Sequence, residues 1–229
     1  MTTNDVLAEI REALSYKIGT WMAVHLFHIC DKSTWIHWSV KYRMPSQIKI
    51  GSCCELRRGI LLDARSPTSP SIVIGNYCRI KENVSLLAYG GKIELGDHVL
   101  IGPGTHIYGH GDVFIGNHSM LGGNITLSSA NYACRLSSIP FQYQGYVLKP
   151  VKISSNVWIG NNSAILGVTI NENVIVGAGS VVTNDLESGF VYAGNPARKI
   201  KEIPIKGSSQ VRHRDWRSFA EECKPYCES

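Results

Sequence analysis

The chain has 229 residues, 44% of them hydrophobic and 18% charged, which suffices for one sizeable domain or two small ones. Its net charge of +5 is mild for that length, and no aromatic-basic interleaving marks a nucleic-acid surface, so nucleic acid is not an expected partner. The seven cysteines are scattered and odd in number, and no basic segment with an apolar run and small-residue cleavage site opens the chain, so a reducing, cytoplasmic setting is expected.

Residues 3–15 read as a helix that Thr3 or Asn4 can cap, with Val6, Ile10 and Leu14 on one face. An apolar aromatic stretch comes next, from Trp21 to Cys30, then Trp-Ile-His-Trp at 35–38. It is too short to span a bilayer, which takes about 20 apolar residues. The plainer reading is a helix that caps the open end of the neighbouring domain; the sharper one is a surface that leans on the inner membrane face, where Trp is favoured. Residues 1–47 are accordingly assigned to an N-terminal cap.

From Ile48 to Val182 the chain obeys a different rule. Aliphatic residues recur in triplets at a spacing of six: Ile50, Leu56, Leu62; Ile74, Ile80, Leu86; Leu95, Ile101, Ile107; Ile115, Leu121, Leu127; Ile153, Ile159, Ile165; and, after one step of five, Ile170, Val176, Val182. Six fits neither the 3.6 period of a helix nor the alternation of a long strand. It fits a chain that turns a corner every six residues and points one aliphatic inward per side, the hexapeptide pattern of a parallel β-helix. The first member is often succeeded by Gly and a small polar residue, as in Ile74-Gly75-Asn76 and Leu95-Gly96-Asp97, so Gly is expected to supply the positive φ of the corner. The predicted class is all-β, a β-helix with a helical cap and a short helical tail.

Departures from the six-residue step locate loops. Six extra residues, including Ser-Pro-Thr-Ser-Pro, lie between Leu62 and Ile74, and twenty between Leu127 and Ile153. An insertion of that length in a regular solenoid is usually functional; residues 128–150 are therefore read as a functional loop. After Val182 the repeat stops. Residues 190–203 suggest a strand, a Gly-Asn-Pro turn and a basic strand, and 204–229 a tail with a short helix around Trp216 to Glu222. Cys223, Cys227 and His213 have poor spacing for zinc, and no metal is expected.

The segments Asn-Val-Trp-Ile-Gly (156–160), Ile-Leu-Gly-Val-Thr-Ile (165–170), Val-Gly-Ala-Gly-Ser-Val-Val-Thr (176–183) and Ala-Gly-Asn-Pro-Ala-Arg-Lys-Ile (193–200) together resemble the hexapeptide-repeat acyltransferases, in the sugar and polysaccharide O-acetyltransferase branch. The resemblance covers residues 48–203. It implies a left-handed superhelix, a homotrimer with active sites between subunits, acetyl-CoA as donor and a sugar or polysaccharide hydroxyl as acceptor. An N-acetyltransferase on an amino sugar, or a silent trimeric scaffold, are the alternatives.

That family carries a His in its long loop, in a Ser-x-Asn-His motif, to take the proton of the acceptor hydroxyl; imidazole, with a pKa near 6.5, suits the task. Here the motif reads Ser129-Ala130-Asn131-Tyr132, and Tyr132 holds the position of the base. Tyr is a poor base at neutral pH because its pKa is near 10. Three readings compete: a neighbouring His takes over, the chain is weak or inactive, or Tyr132 is a late substitution, natural or engineered. For the first, adjacent-coil stacking would set His110 on Ala130 and Asp112 beside Tyr132, about 4.8 Å away, as a possible orienter.

The resemblance further implies a donor site. Trp158 would border the acetyl cleft, Asn161, Gly177 and Ala178 the pantetheine arm, Thr183 and Asn184 the nucleotide end, and Arg198 and Lys201 the phosphates, where charge-assisted contacts are strong.

Overall fold

The computed structural model describes residues 3–25, 29–30 and 32–204. The expected tail helix, with Cys223, Cys227 and His213, lies outside them.

The hexapeptide rule produces a three-faced solenoid. Its first face is a nine-stranded sheet, its second has seven strands and its third six, each coil contributing one short strand per face. Neighbouring coils pair in parallel and in register. Ile50, Ile74, Leu95, Ile115, Ile153 and Ile170 form one ladder on the third face. Leu56, Ile80, Ile101, Leu121, Ile159 and Val176 form the ladder of the first face. Leu62, Leu86, Ile107, Leu127, Ile165 and Val182 form that of the second. All eighteen are buried and belong to one continuous core.

The corners obey different physics from the expected one. Gly51, Gly75, Gly96 and Gly116 do not carry the positive φ; that falls two residues later, on Cys53, Tyr77, His98 and His118, with φ between 55° and 58°. The glycines are there because coils touch: a Cβ on Gly75 would lie 2.6 Å from the backbone of Gly96. The polar residue after each Gly bonds the coil before it, the side chain of Asn76 accepting from Ser52 N, Asp97 from Asn76 N, and Asn117 from Asp97 N (2.7–2.9 Å). On this edge the left-handed residues stack, with ring centroids 4.8 Å apart for Tyr77–His98 and again for His98–His118.

The solenoid starts earlier than the aliphatic triplets indicate. Trp35–Ile36 pairs with Glu55–Leu56, and Lys41–Arg43 pairs with Leu61–Asp63, so residues 35–50 form a first coil and the cap ends before Trp35. Its aromatic and basic composition hides the repeat, since Ile36 stands where an aliphatic belongs while Tyr42 replaces the next one. The N-terminal helix α1, Thr3–His25, runs ten residues past the expected end and lies over this coil. It turns Tyr16, Gly19 and Ala23 toward the solenoid and leaves Ile10 and Leu14 exposed. Gly19 is required by contact, because a Cβ would fall 2.0 Å from the carbonyl oxygen of Ile36.

Candidate active site

The twenty-residue insertion is an antiparallel hairpin, Ala130–Tyr132 paired with Tyr146–Leu148, that leaves the edge between the second and third faces. Ser129 pins its base: the buried hydroxyl accepts from Gly111 N at 2.9 Å and donates to Tyr108 O at 2.8 Å. Gln144 organises its tip, accepting from Arg135 N at 2.9 Å and donating to Arg135 O at 2.9 Å and Ile139 O at 2.7 Å. Asn131 spends its side-chain oxygen locally, on Tyr132 N at 2.9 Å.

Antiparallel register sets Tyr132 directly opposite Tyr146, with ring centroids 4.9 Å apart. A hydrogen bond to Tyr132 holds the Tyr146 phenol above its ordinary pKa, so Tyr146 stays protonated at neutral pH. The Tyr146 ring also meets His110, at 5.3 Å, and His110 meets Tyr89 on its other side, at 5.0 Å. Burial lowers the His110 pKa and keeps the imidazole neutral. Its Nδ1 is buried and has no hydrogen-bond partner among the described residues. Tyr146 had no signal in the repeat; only the closing of the hairpin, with Gly145 at φ 81° on the returning side, brings it to Tyr132.

Asp112 is not the orienter expected of it. Its carboxylate accepts from Lys92 N at 2.8 Å, in the coil below, and its own backbone stands at φ 72°. Its carbonyl accepts from Val151 N, at the far end of the insertion, rather than lying beside Tyr132. The stacking that suggested otherwise fails because the ladder ends at Tyr108–Ser128, where the hairpin peels away and reverses direction. Asp112 is a corner residue.

The expected donor residues gather elsewhere, on the first face and on the edge between the first and second faces. Trp158 is half-exposed and stacked in register between Met120 and Ile175. Met120, exposed itself, is a wall residue that motif matching passes over, although it holds the same ladder position one coil earlier. On the edge, Asn161 accepts from Gly123 N through its side chain and from Gly179 N through its carbonyl, both at 2.8 Å. Ala178 and Gly179 lie exposed above it, a thin strip of backbone. Gly177 ties the strip down by donating to Tyr192 O at 2.8 Å and accepting from Ser180 Oγ at 2.6 Å.

Beyond Tyr192 the chain turns through Gly194 and a cis Asn195–Pro196 bond into the antiparallel strand Arg198–Glu202. Arg198 lies opposite Ala193 and Lys201 opposite Val191, because a β-bulge adds one residue between them. Residues three apart on a regular strand face opposite ways; the bulge returns both to one face. That face is the outer one, since the intervening Tyr192 is buried. Lys199 falls on the other side, paired with Glu187 at 2.6 Å and seated over the Phe190 ring. Neither Arg198 nor Lys201 makes an ion pair with a carboxylate among the described residues. Thr183 and Asn184, by contrast, come after the last strand of the second face and stand on the hairpin edge, apart from Ala178 and Arg198.

This geometry has known relatives. Residues 150–184 match the family described as the hexapeptide repeat of succinyl-transferase. A protein of Escherichia coli designated a colanic acid biosynthesis acetyltransferase, WcaF, is 31% identical over 132 residues, 56% of this chain and 68% of its own length. The chain belongs to the hexapeptide-repeat acetyltransferases. The galactoside O-acetyltransferase of Lactococcus lactis subsp. lactis is 34% identical over 139 residues, 58% of this chain and 65% of that protein. The match thus spans less than two thirds of that relative's length. Among solved structures, a variant of the N-acyltransferase AntD of Bacillus cereus, crystallised with dTDP and coenzyme A, superposes with a TM-score of 0.55 at 25% identity, over 86% of this chain and 89% of that one. The hairpin and the glycine strip stand on two different edges of one solenoid.

Proposed function

We propose that this acetyltransferase moves the acetyl group of acetyl-CoA to a hydroxyl of a sugar or polysaccharide, in sites shared between the subunits of a homotrimer. The observation that carries the reading is the outer column of the first face. It runs Trp158, Ile175, Val191 and ends at Lys201, with Arg198 alongside. Three strand spacings make that column about 14 Å long. An apolar path closed at one end by two unpaired cations suits a slender pantetheine arm with phosphates at its far end. Glycine and alanine at 177–179 leave room for the arm to lie against the coil. The galactoside and colanic acid names of its relatives support a sugar acceptor, and the coenzyme A held by the AntD variant supports the donor.

In this reading the acceptor oxygen attacks the thioester carbonyl, a C–O bond forms, and the C–S bond breaks as the tetrahedral oxyanion collapses. The proton leaves the hydroxyl and ends on the departing thiolate. Trp158 and Met120 wall the acetyl end and exclude water. The proton step is the weak point, because Tyr132 stands where the family has its base and His110 is neutral, half-buried against Tyr146 and without an orienting carboxylate among the described residues. The chain as it stands is therefore a slow enzyme.

The separation of hairpin and donor strip supports the trimer. One chain holds them on different edges, with the second face between; a neighbouring subunit can bring its hairpin to the strip. A donor of this kind is a cytoplasmic metabolite, which supports a cytoplasmic setting. The test is thiol release from acetyl-CoA with a panel of oligosaccharides and amino sugars. Acceptor-dependent release with neutral sugars is expected. Release with amino sugars alone would move the reaction to nitrogen, and no release even with Tyr132→His would leave a scaffold.

A further inference from the structure

The first-coil end of the molecule carries a surface that the transfer reading does not use. Helix α1 exposes Ile10, Leu14, Ile18 and Trp21, each about half accessible. Their spacing of four, four and three puts them in one stripe along the helix. Trp38 of the first coil, 58% exposed, adds a second indole next to the helix, its backbone N–H donating to Ser15 O. Burying such side chains is worth far more than leaving them wet.

Charge is arranged around the stripe. Arg11 and Lys17, both exposed, fall about 60° to either side of its centre at 100° per residue. Beneath the stripe, between α1 and the first coil, is a cavity of about 270 Å³ lined by Tyr16, Lys17, Trp21, His25, Lys32 and Trp35. It combines two indoles with two lysines, an apolar floor with a cationic rim. No described helix is long and apolar enough to cross a membrane.

We infer that this end of the solenoid docks on an anionic phospholipid surface, with α1 lying in the interface, its stripe and Trp38 in the acyl boundary and Arg11, Lys17 and Lys32 among the lipid phosphates. A helix with apolar residues on one side, indoles at the boundary and cations on the flanks binds in that manner. The charge arrangement selects this occupant over a second copy of the chain, whose matching end would bring the same cations together. The inference stands apart from the transfer reading, because none of these residues belongs to the donor column or the hairpin.

The test is co-sedimentation of the full chain with vesicles of phosphatidylcholine alone and of phosphatidylcholine with phosphatidylglycerol. Binding to the anionic vesicles is expected, weakening as salt is raised. The pair Ile18→Glu and Trp21→Glu should lower partitioning by more than tenfold. The pair Arg11→Glu and Lys17→Glu should lower it by at least about fivefold per cation, on anionic vesicles only. Unchanged far-UV circular dichroism and melting in both variants, whose residues are exposed, keep misfolding from imitating the result. The proposal fails if the parent chain stays in the supernatant, if neutral and anionic vesicles bind it equally, or if the stripe variant binds as well as the parent. It fails too if the stripe variant instead lowers the oligomer mass in light scattering, for then another subunit covers the stripe.

Discussion

At the scale of single residues, the proposed reading rests on Tyr132. The hairpin around it is well held: Ser129 pins its base, Asn131 bonds the Tyr132 N–H, and Gln144 ties the tip. We expect Tyr132→His to raise acetyl transfer by about 10²–10⁴-fold, the usual worth of a general base, in a thiol-release assay. His110→Ala should change the parent rate little, because no carboxylate among the described residues orients that ring; loss of transfer in His110→Ala would reverse the assignment. The exposed His98–His118 stack offers a second residue-scale prediction. Burial, and then the charge of His118, lower the His98 pKa. A histidine whose folded pKa lies below its unfolded value favours the neutral form on folding. It costs nothing above about pH 6.5 and destabilises increasingly as pH falls toward the folded value. His118→Ala should raise the His98 pKa in an NMR titration, and an unmoved titration would show that the rings do not interact.

Among elements, two corners matter more than any strand. The bulge in Arg198–Glu202 aims two cations along one face, so Arg198→Ala or Lys201→Ala should raise the KM for acetyl-CoA and leave kcat nearly intact. Each phosphate contact is worth roughly 1.5–3 kcal/mol, up to about a hundredfold in KM. Deleting Ile200 should restore a regular strand in which Lys201, now two positions after Arg198, keeps its place opposite Val191 on the same face, so the KM should stay near the parent value. A kcat loss at constant KM would place these residues in the chemistry instead. Asp112 illustrates the opposite case. Its carboxylate satisfies a backbone N–H of the coil below, so Asp112→Ala should cost about 1–3 kcal/mol in denaturant unfolding. Activity should survive wherever the protein is folded.

For the molecule as a whole, the solenoid sets both stability and assembly. Each coil buries its aliphatics only against its neighbours, so damage propagates along the stack rather than staying local. Leu127→Ala, in a middle coil, should cost about 2–5 kcal/mol. Light scattering at micromolar concentration should report a trimer. A stable monomer would remove both the assembly and the shared site, because the hairpin edge and the donor strip of one chain do not meet.

The eighteen-position repeat was enough to assign the three faces, their register and the core, because inward-facing residues of a solenoid are selected by one periodic rule that needs no knowledge of distant contacts. The hairpin's position was legible as broken periodicity, and Tyr132 as a departure from the resembled family's Ser-x-Asn-His motif. Other features depend on contacts the repeat does not encode. The first coil was hidden because only Ile36 keeps the aliphatic period there, Tyr42 taking the next inward place while Trp35 faces outward against α1. The corner glycines suggest backbone twist in sequence, whereas close coil-to-coil approach is what demands them. The stacking of Asp112 on Tyr132 assumed a ladder that continues, and the hairpin ends it. Tyr146 beside Tyr132 results from antiparallel closure, and the shared face of Arg198 and Lys201 results from a single inserted residue. Periodicity specifies what points inward; how the exposed chain departs from the period, and hence which outer residues meet, is decided only by the folded backbone.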